Sequence, residues 1–109
     1  MKNINLVPIE TVLELKENNE PFILVEVLGA EEFKKGHLPQ AVNIPLAELE
    51  EKAPAQLKKD VKTIVYCANY HCTASTKAAR KLVSLGFKDV LDFKAGKKGW
   101  QEAGLELVT

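Results

Sequence analysis

Cys67 closes an apolar run, Thr63-Ile64-Val65-Tyr66, and opens a polar one, Ala68-Asn69-Tyr70-His71-Cys72-Thr73. Beyond it, Ala78, Ala79, Leu82, Val83 and Leu85 recur at helical spacing. The order is therefore strand, loop, helix, with a thiol at the first loop position. In an open parallel sheet, ligands bind outside the carboxyl ends of strands, where loops feed helices. Backbone N–H groups of such a turn and the helix dipole favour negative charge. They lower a thiol pKa from about 8.5 and hold a thiolate at neutral pH. This predicts Cys67 to be a reactive nucleophile; the bland alternative is a buried, inert structural thiol.

The flanking elements must position that loop. Ile4-Asn5-Leu6-Val7 reads as a short strand, and Pro8 suits the first turn of a helix carrying Ile9, Val12, Leu13 and Leu15. Phe22 to Leu28 is a nearly continuous apolar run, as expected for a strand buried on both faces. Ala30 to Lys35 reads as a helix closed by Gly36, and Ala41 to Ile44 as a short strand. Pro45 opens another helix, which Pro54 is expected to interrupt. Gly86 stops the helix after the loop, and Phe87 to Asp92 gives the last strand. Gly96 precedes a short helix carrying Trp100, Gly104 ends it, and Leu105 to Val108 form a tail that packs back on the sheet. Strands alternate with helices throughout. The expectation is an α/β fold, a parallel sheet with right-handed crossovers and helices on both faces.

Bulk properties narrow the function. The chain has 109 residues, which is most simply one domain, 1–109, able to bury a core without staples. Its formal net charge is zero, which argues against a nucleic-acid or acidic-membrane partner. No apolar run approaches the roughly 20 residues of a spanning helix. The opening Met1-Lys2-Asn3-Ile4-Asn5 has no apolar leader core. A cytoplasmic, soluble monomer is expected. The chain holds two cysteines, which in that compartment point to chemistry rather than a staple.

Several segments, in order, resemble a single-domain rhodanese of the sulfurtransferase-like family. Gly36-His37-Leu38-Pro39-Gln40-Ala41-Val42-Asn43-Ile44-Pro45 is similar to that family's Gly-His-Ile-Pro-Gly-Ala-x-Asn-Ile-Pro segment. Ile64-Val65-Tyr66-Cys67 resembles the strand that delivers its catalytic cysteine, and Lys77-Ala78-Ala79 through Gly86-Phe87 the helix that follows. Ala95-Gly96 to Trp100, with Ala103-Gly104-Leu105, resembles its closing Gly-Gly-x-x-x-Trp segment. The resemblance covers nearly the whole chain. It implies a five-stranded parallel sheet and sulfur transfer through a cysteine persulfide, with Cys67 as carrier and no cofactor or metal. The backbone amides of Ala68, Asn69, Tyr70, His71, Cys72 and Thr73 would line its anion cradle.

The chain also departs from that pattern. Glu26-Val27-Leu28 stands where the family often has Asp-Val-Arg. The active loop is a Cys-x-x-x-x-Cys-x-x-Ser pattern, about two residues longer than usual, with Cys72 five positions after Cys67. Arg80 is the only arginine and lies well into the helix, so the loop has no guanidinium to grip an oxyanion. His71, Lys77 and Lys97 are the nearby cations in sequence. Thiosulfate carries two negative charges, so poor activity with it is expected; a protein or small-molecule persulfide donor and a thiol acceptor need less compensation.

The remaining residues carry paired readings. Cys72 either resolves a persulfide or sulfenate on Cys67 as an internal disulfide or is a small residue under the loop. His71 faces solvent or donates to sulfur. His37 is expected to tie backbone together. Trp100 reads as a core or rim aromatic rather than a ligand platform, and Ser75 as an N-cap or first-turn residue whose hydroxyl satisfies helix N–H groups, with substrate contact as its alternative. Lys97-Lys98 reads as solvated surface or as a site for an acidic partner. Zinc would require Cys67, His71, Cys72 and distant His37 to converge, at a spacing that matches no usual site. Competing functions are a non-catalytic or redox-regulatory binding module using a Cys67/Cys72 dithiol, and phosphatase- or arsenate-reductase-like chemistry, which wants an arginine absent here.

Overall fold

The computed structural model describes residues 4–109. Its elements are β1 (Asn5–Leu6), α1 (Ile9–Glu17), β2 (Phe22–Glu26), α2 (Ala30–Lys35), β3 (Val42–Asn43), a 3-10 turn (Leu46–Glu48), α3 (Leu49–Gln56), β4 (Lys62–Tyr66), α4 (Ala74–Ser84), β5 (Val90–Asp92) and α5 (Gly96–Glu102). Of the opening segment, Met1–Asn3 lie outside the described residues. The strands form one five-stranded sheet in the order β1-β5-β4-β2-β3, with every pairing parallel. The expected α/β architecture with a five-stranded parallel sheet is what is observed.

β4 is the middle strand, and its alternation sets the two cores. Ile64 and Tyr66 face one side with Leu24, Leu91, Val12 of α1 and Trp100 of α5. Val65 and Cys67 face the other with Val25, Ala78 and Leu82 of α4, and Leu49 and Ala53 of α3. Side chains alternate across a strand, so one run of apolar residues feeds both cores. Helices accordingly cover both faces. No helix among the described residues is long and apolar enough to cross a membrane.

Several boundaries differ from expectation. β2 ends at Glu26, where its pairing with β4 ends at Tyr66. β5 begins only at Val90, because Phe87 and Lys88 are held in the connection by Leu82 and Lys59 carbonyls. Pro54 does not break its helix. It lies inside α3 near the end, where the missing N–H forfeits a single hydrogen bond, and the discontinuity falls earlier, between the 3-10 turn and Leu49. The tail docks as expected: His37 and Val108 exchange backbone hydrogen bonds of 2.9 Å each, and Leu105 and Leu107 pack against the Trp100 core.

A polar cluster is embedded on the Trp100 side. The Tyr66 hydroxyl donates to Glu26 Oε1 at 2.9 Å and accepts from the Leu38 N–H at 3.1 Å. Burial pushes the Tyr66 phenol well above its ordinary range, so it stays a neutral donor. The other Glu26 oxygen lies 3.0 Å from Lys97 Nζ. This ties the ends of β2 and β4 to α5.

Candidate active site

β4 delivers Cys67 to the carboxyl edge of the sheet, on the side of α4. Its side chain is fully buried. Residues 68–73 then form the loop, and α4 starts at Ala74. The helix N-terminus therefore sits beside the thiol, the disposition expected from sequence, and its dipole favours a thiolate.

α5 clamps the start of the loop from above. The Lys97 N–H donates to the Cys67 carbonyl at 3.0 Å, and the Lys98 N–H to the Ala68 carbonyl at 2.9 Å. This close approach requires glycine at position 96. Gly96 has φ +61°, and a Cβ there would come within 2.9 Å of the Cys67 carbonyl carbon and 3.1 Å of that of Ala68. A side chain would meet backbone, which cannot swing aside, in a left-handed conformation that disfavours it. Gly96→Ala is expected to cost about 2–4 kcal/mol, read as a lower urea midpoint. A variant as stable as the parent would contradict the clamp.

Asn69 shapes the loop itself. Its side-chain Oδ1 accepts from the His71 N–H at 2.9 Å and the Cys72 N–H at 3.2 Å, and its carbonyl accepts from Cys72 N–H at 3.1 Å. Two amides expected to line the cradle, those of His71 and Cys72, are thus directed at Asn69. The turn brings Cys72 back over Cys67. The structure pairs the two as a disulfide across a Cα separation of 6.5 Å. Cys67 Sγ also lies 3.6 Å from the Cys72 carbonyl oxygen.

The charges around the loop differ from those expected. His71 and Lys77 are exposed. Lys97 is neither a loop cation nor a solvated surface lysine: its side chain is only 12% exposed, pairs with Glu26 and donates to the Glu32 carbonyl at 2.8 Å. The cation that reaches the loop is Lys94, whose Nζ donates to the Cys72 carbonyl at 3.1 Å and stands 5.4 Å from the Tyr70 ring centroid. Sequence reasoning passed over it. The available signal was its place just past β5, the neighbour of β4, since residues beyond adjacent parallel strands meet at the same edge.

Other residues resolve as follows. Ser75 is the second residue of α4 and is buried, but its hydroxyl has no hydrogen-bond partner among the described residues, so it does not cap. Thr73 occupies the cap position without a side-chain bond. Neighbouring Thr76 instead donates to buried Asp92 Oδ2 at 2.7 Å, fastening α4 to β5. His37 places Nδ1 3.0 Å from the Phe33 carbonyl and stacks on the Phe33 ring at 3.8 Å, the tying role expected. Trp100 is buried and donates to the Glu106 carbonyl at 3.0 Å. Among the described residues no cluster of three His, Cys, Asp or Glu groups converges. Beside Tyr70, a recess of about 410 Å³ is lined by Leu6, Val7, Pro8, Ile9, Glu10, Tyr70 and Lys94, with neither cysteine in its wall.

Comparison with known proteins places this geometry. The rhodanese-like domain model matches residues 9–103. The HTH-type transcriptional regulator Rv0324 of Mycobacterium tuberculosis is 37% identical over 82 residues, 75% of this chain but 35% of the regulator. The chain thus spans about a third of that relative's length. The thiosulfate sulfurtransferase GlpE of Pseudomonas savastanoi is 31% identical over 102 residues, covering 93% of this chain and 91% of that protein. The crystal structure of the BH2092 protein from Bacillus halodurans superposes with a TM-score of 0.86 at 31% identity, over 95% of this chain and 76% of that one. With the family model matching residues 9–103, most of the chain, and the fold shared with BH2092, this chain belongs to the rhodanese-like domain family.

Proposed function

We propose that this protein is a sulfurtransferase that carries sulfane sulfur as a persulfide on Cys67 and passes it to a thiol acceptor. The observation that carries the reading is the placement of Cys67: buried at the end of the central strand, at the mouth of a loop that runs into the N-terminus of α4. The Cys67 thiolate attacks the outer sulfur of a donor, the donor's remainder leaves with the electron pair, and Cys67–S–SH remains. An acceptor thiolate then takes the outer sulfur. The loop amides not claimed by Asn69 and the helix dipole hold the persulfide sulfur.

The donor is proposed to be a persulfide or polysulfide rather than thiosulfate. One relative is named a thiosulfate sulfurtransferase. Discharge of thiosulfate releases a dianion, sulfite, and calls for fixed cations. Here Lys97 is neutralised by Glu26, which leaves Lys94, on the Cys72 carbonyl, as the lysine that reaches the loop. The test is intact mass after incubating the reduced Cys72→Ser protein, which keeps Cys67 as its one thiol, with each donor. A gain of about 32 Da with polysulfide, at least about tenfold faster than with thiosulfate, is expected. Equal rates would overturn the preference, and no gain from either donor would overturn the carrier role.

A second reading, a redox-regulatory module that uses the Cys67/Cys72 dithiol without sulfur transfer, is favoured by one observation, the pairing of the two sulfurs. Loss of two hydrogens with oxidant, and no sulfur uptake from any donor, would select it.

A further inference from the structure

Resting on the carrier reading, we propose that Cys72 resolves the Cys67 persulfide and releases its sulfur as sulfide, making the protein a sulfane-sulfur reductase. The Cys72 thiolate attacks Cys67 Sγ, the inner sulfur. A Cys67–Cys72 bond forms, the bond from Cys67 Sγ to the outer sulfur breaks, and the outer sulfur leaves with the electron pair and its proton as HS⁻. The Cys72 proton goes to solvent. The sulfane sulfur gains two electrons and the two cysteines lose them. A dithiol reductant then restores both thiols by exchange.

Four features of the loop support this step. The two residues are already paired, and their Cα separation of 6.5 Å lies within the range a disulfide spans without backbone movement. Asn69 collects the His71 and Cys72 amides and so folds the loop toward Cys67. Lys94 donates to the Cys72 carbonyl at 3.1 Å and so fixes the backbone that carries the second thiol. Cys72 lies over buried Cys67 within the same loop, so it is placed to meet the inner sulfur. Attack from within one loop also has the advantage of high effective concentration.

The experiment loads reduced wild type, Cys72→Ser, Cys72→Ala and Asn69→Ala with polysulfide, removes excess donor, and follows intact mass and free sulfide. Wild type is expected to end about 2 Da below its reduced mass, with one sulfide released per chain, while both Cys72 variants keep a gain of about 32 Da at least about tenfold longer. Asn69→Ala is expected to release sulfide more slowly than wild type. A wild-type persulfide as long-lived as that of Cys72→Ser overturns the proposal and leaves the carrier role standing. So does a gain of about 32 Da trapped on Cys72, which would mean transfer through the outer sulfur. Absence of sulfur uptake by every protein overturns the carrier role itself, and this step with it.

Discussion

Cys67→Ser is expected to abolish sulfur uptake, lowering transfer to a thiol acceptor by about 10³-fold or more. The argument is chemical. At neutral pH a serine hydroxyl is essentially un-ionised, and it is a weak nucleophile toward sulfur, whereas a thiolate at a helix N-terminus is both ionised and soft. The fold should tolerate the change: Cys67 is a small buried side chain packed with Val65 and Ala78, and serine differs by one atom. Intact mass and a urea melt on the same preparation separate the two effects. Sulfur uptake by a folded Cys67→Ser protein would move the chemistry to Cys72, and would end both the carrier reading and the resolution step built on it.

The largest stability effect is expected at Lys97. Glu26 is fully buried, and its Oε2 has no hydrogen-bond partner among the described residues. The ammonium of Lys97, 3.0 Å away, compensates that oxygen's charge as an ion pair. Lys97→Met keeps much of the aliphatic stem and removes the charge. Breaking a buried pair on one side costs about 3–5 kcal/mol, because a charge is left in low dielectric. For a domain of this size that is a fall in Tm of roughly 12 °C or more. Glu26→Gln combined with Lys97→Met removes both charges and is expected to regain much of the loss, since the amide still accepts from Tyr66. A single-mutant cost below about 1 kcal/mol would mean the pair behaves as a surface one.

The same pair explains a departure visible in the sequence. Glu26-Val27-Leu28 lacks the arginine often found after the second strand in the family it resembles. Here the carboxylate at the end of β2 takes its cation from α5, 71 positions away in the chain, through Lys97. That lysine is consequently unable to serve the loop, and the loop's cation is Lys94 instead.

By itself, the sequence determined the alternation of strands and helices, the parallel sheet, the two-sided burial of β2 and the position of Cys67 at the end of β4. Each is written in local periodicity: an apolar run of strand length, glycines at stops, a helical stripe from Ala78 to Leu82. Those signals need only neighbours. Tertiary structure alone decided what surrounds the thiol. It set Lys97 against Glu26 and Thr76 against Asp92, left Ser75 without its expected capping bond, drew Lys94 to Cys72, and used Asn69 to fold the loop so that the two cysteines meet. These are choices of partner among several side chains of the same type. A lysine's reach covers many positions, so its partner depends on strand order and on how closely Gly96 lets α5 approach the loop, neither of which a one-dimensional pattern records.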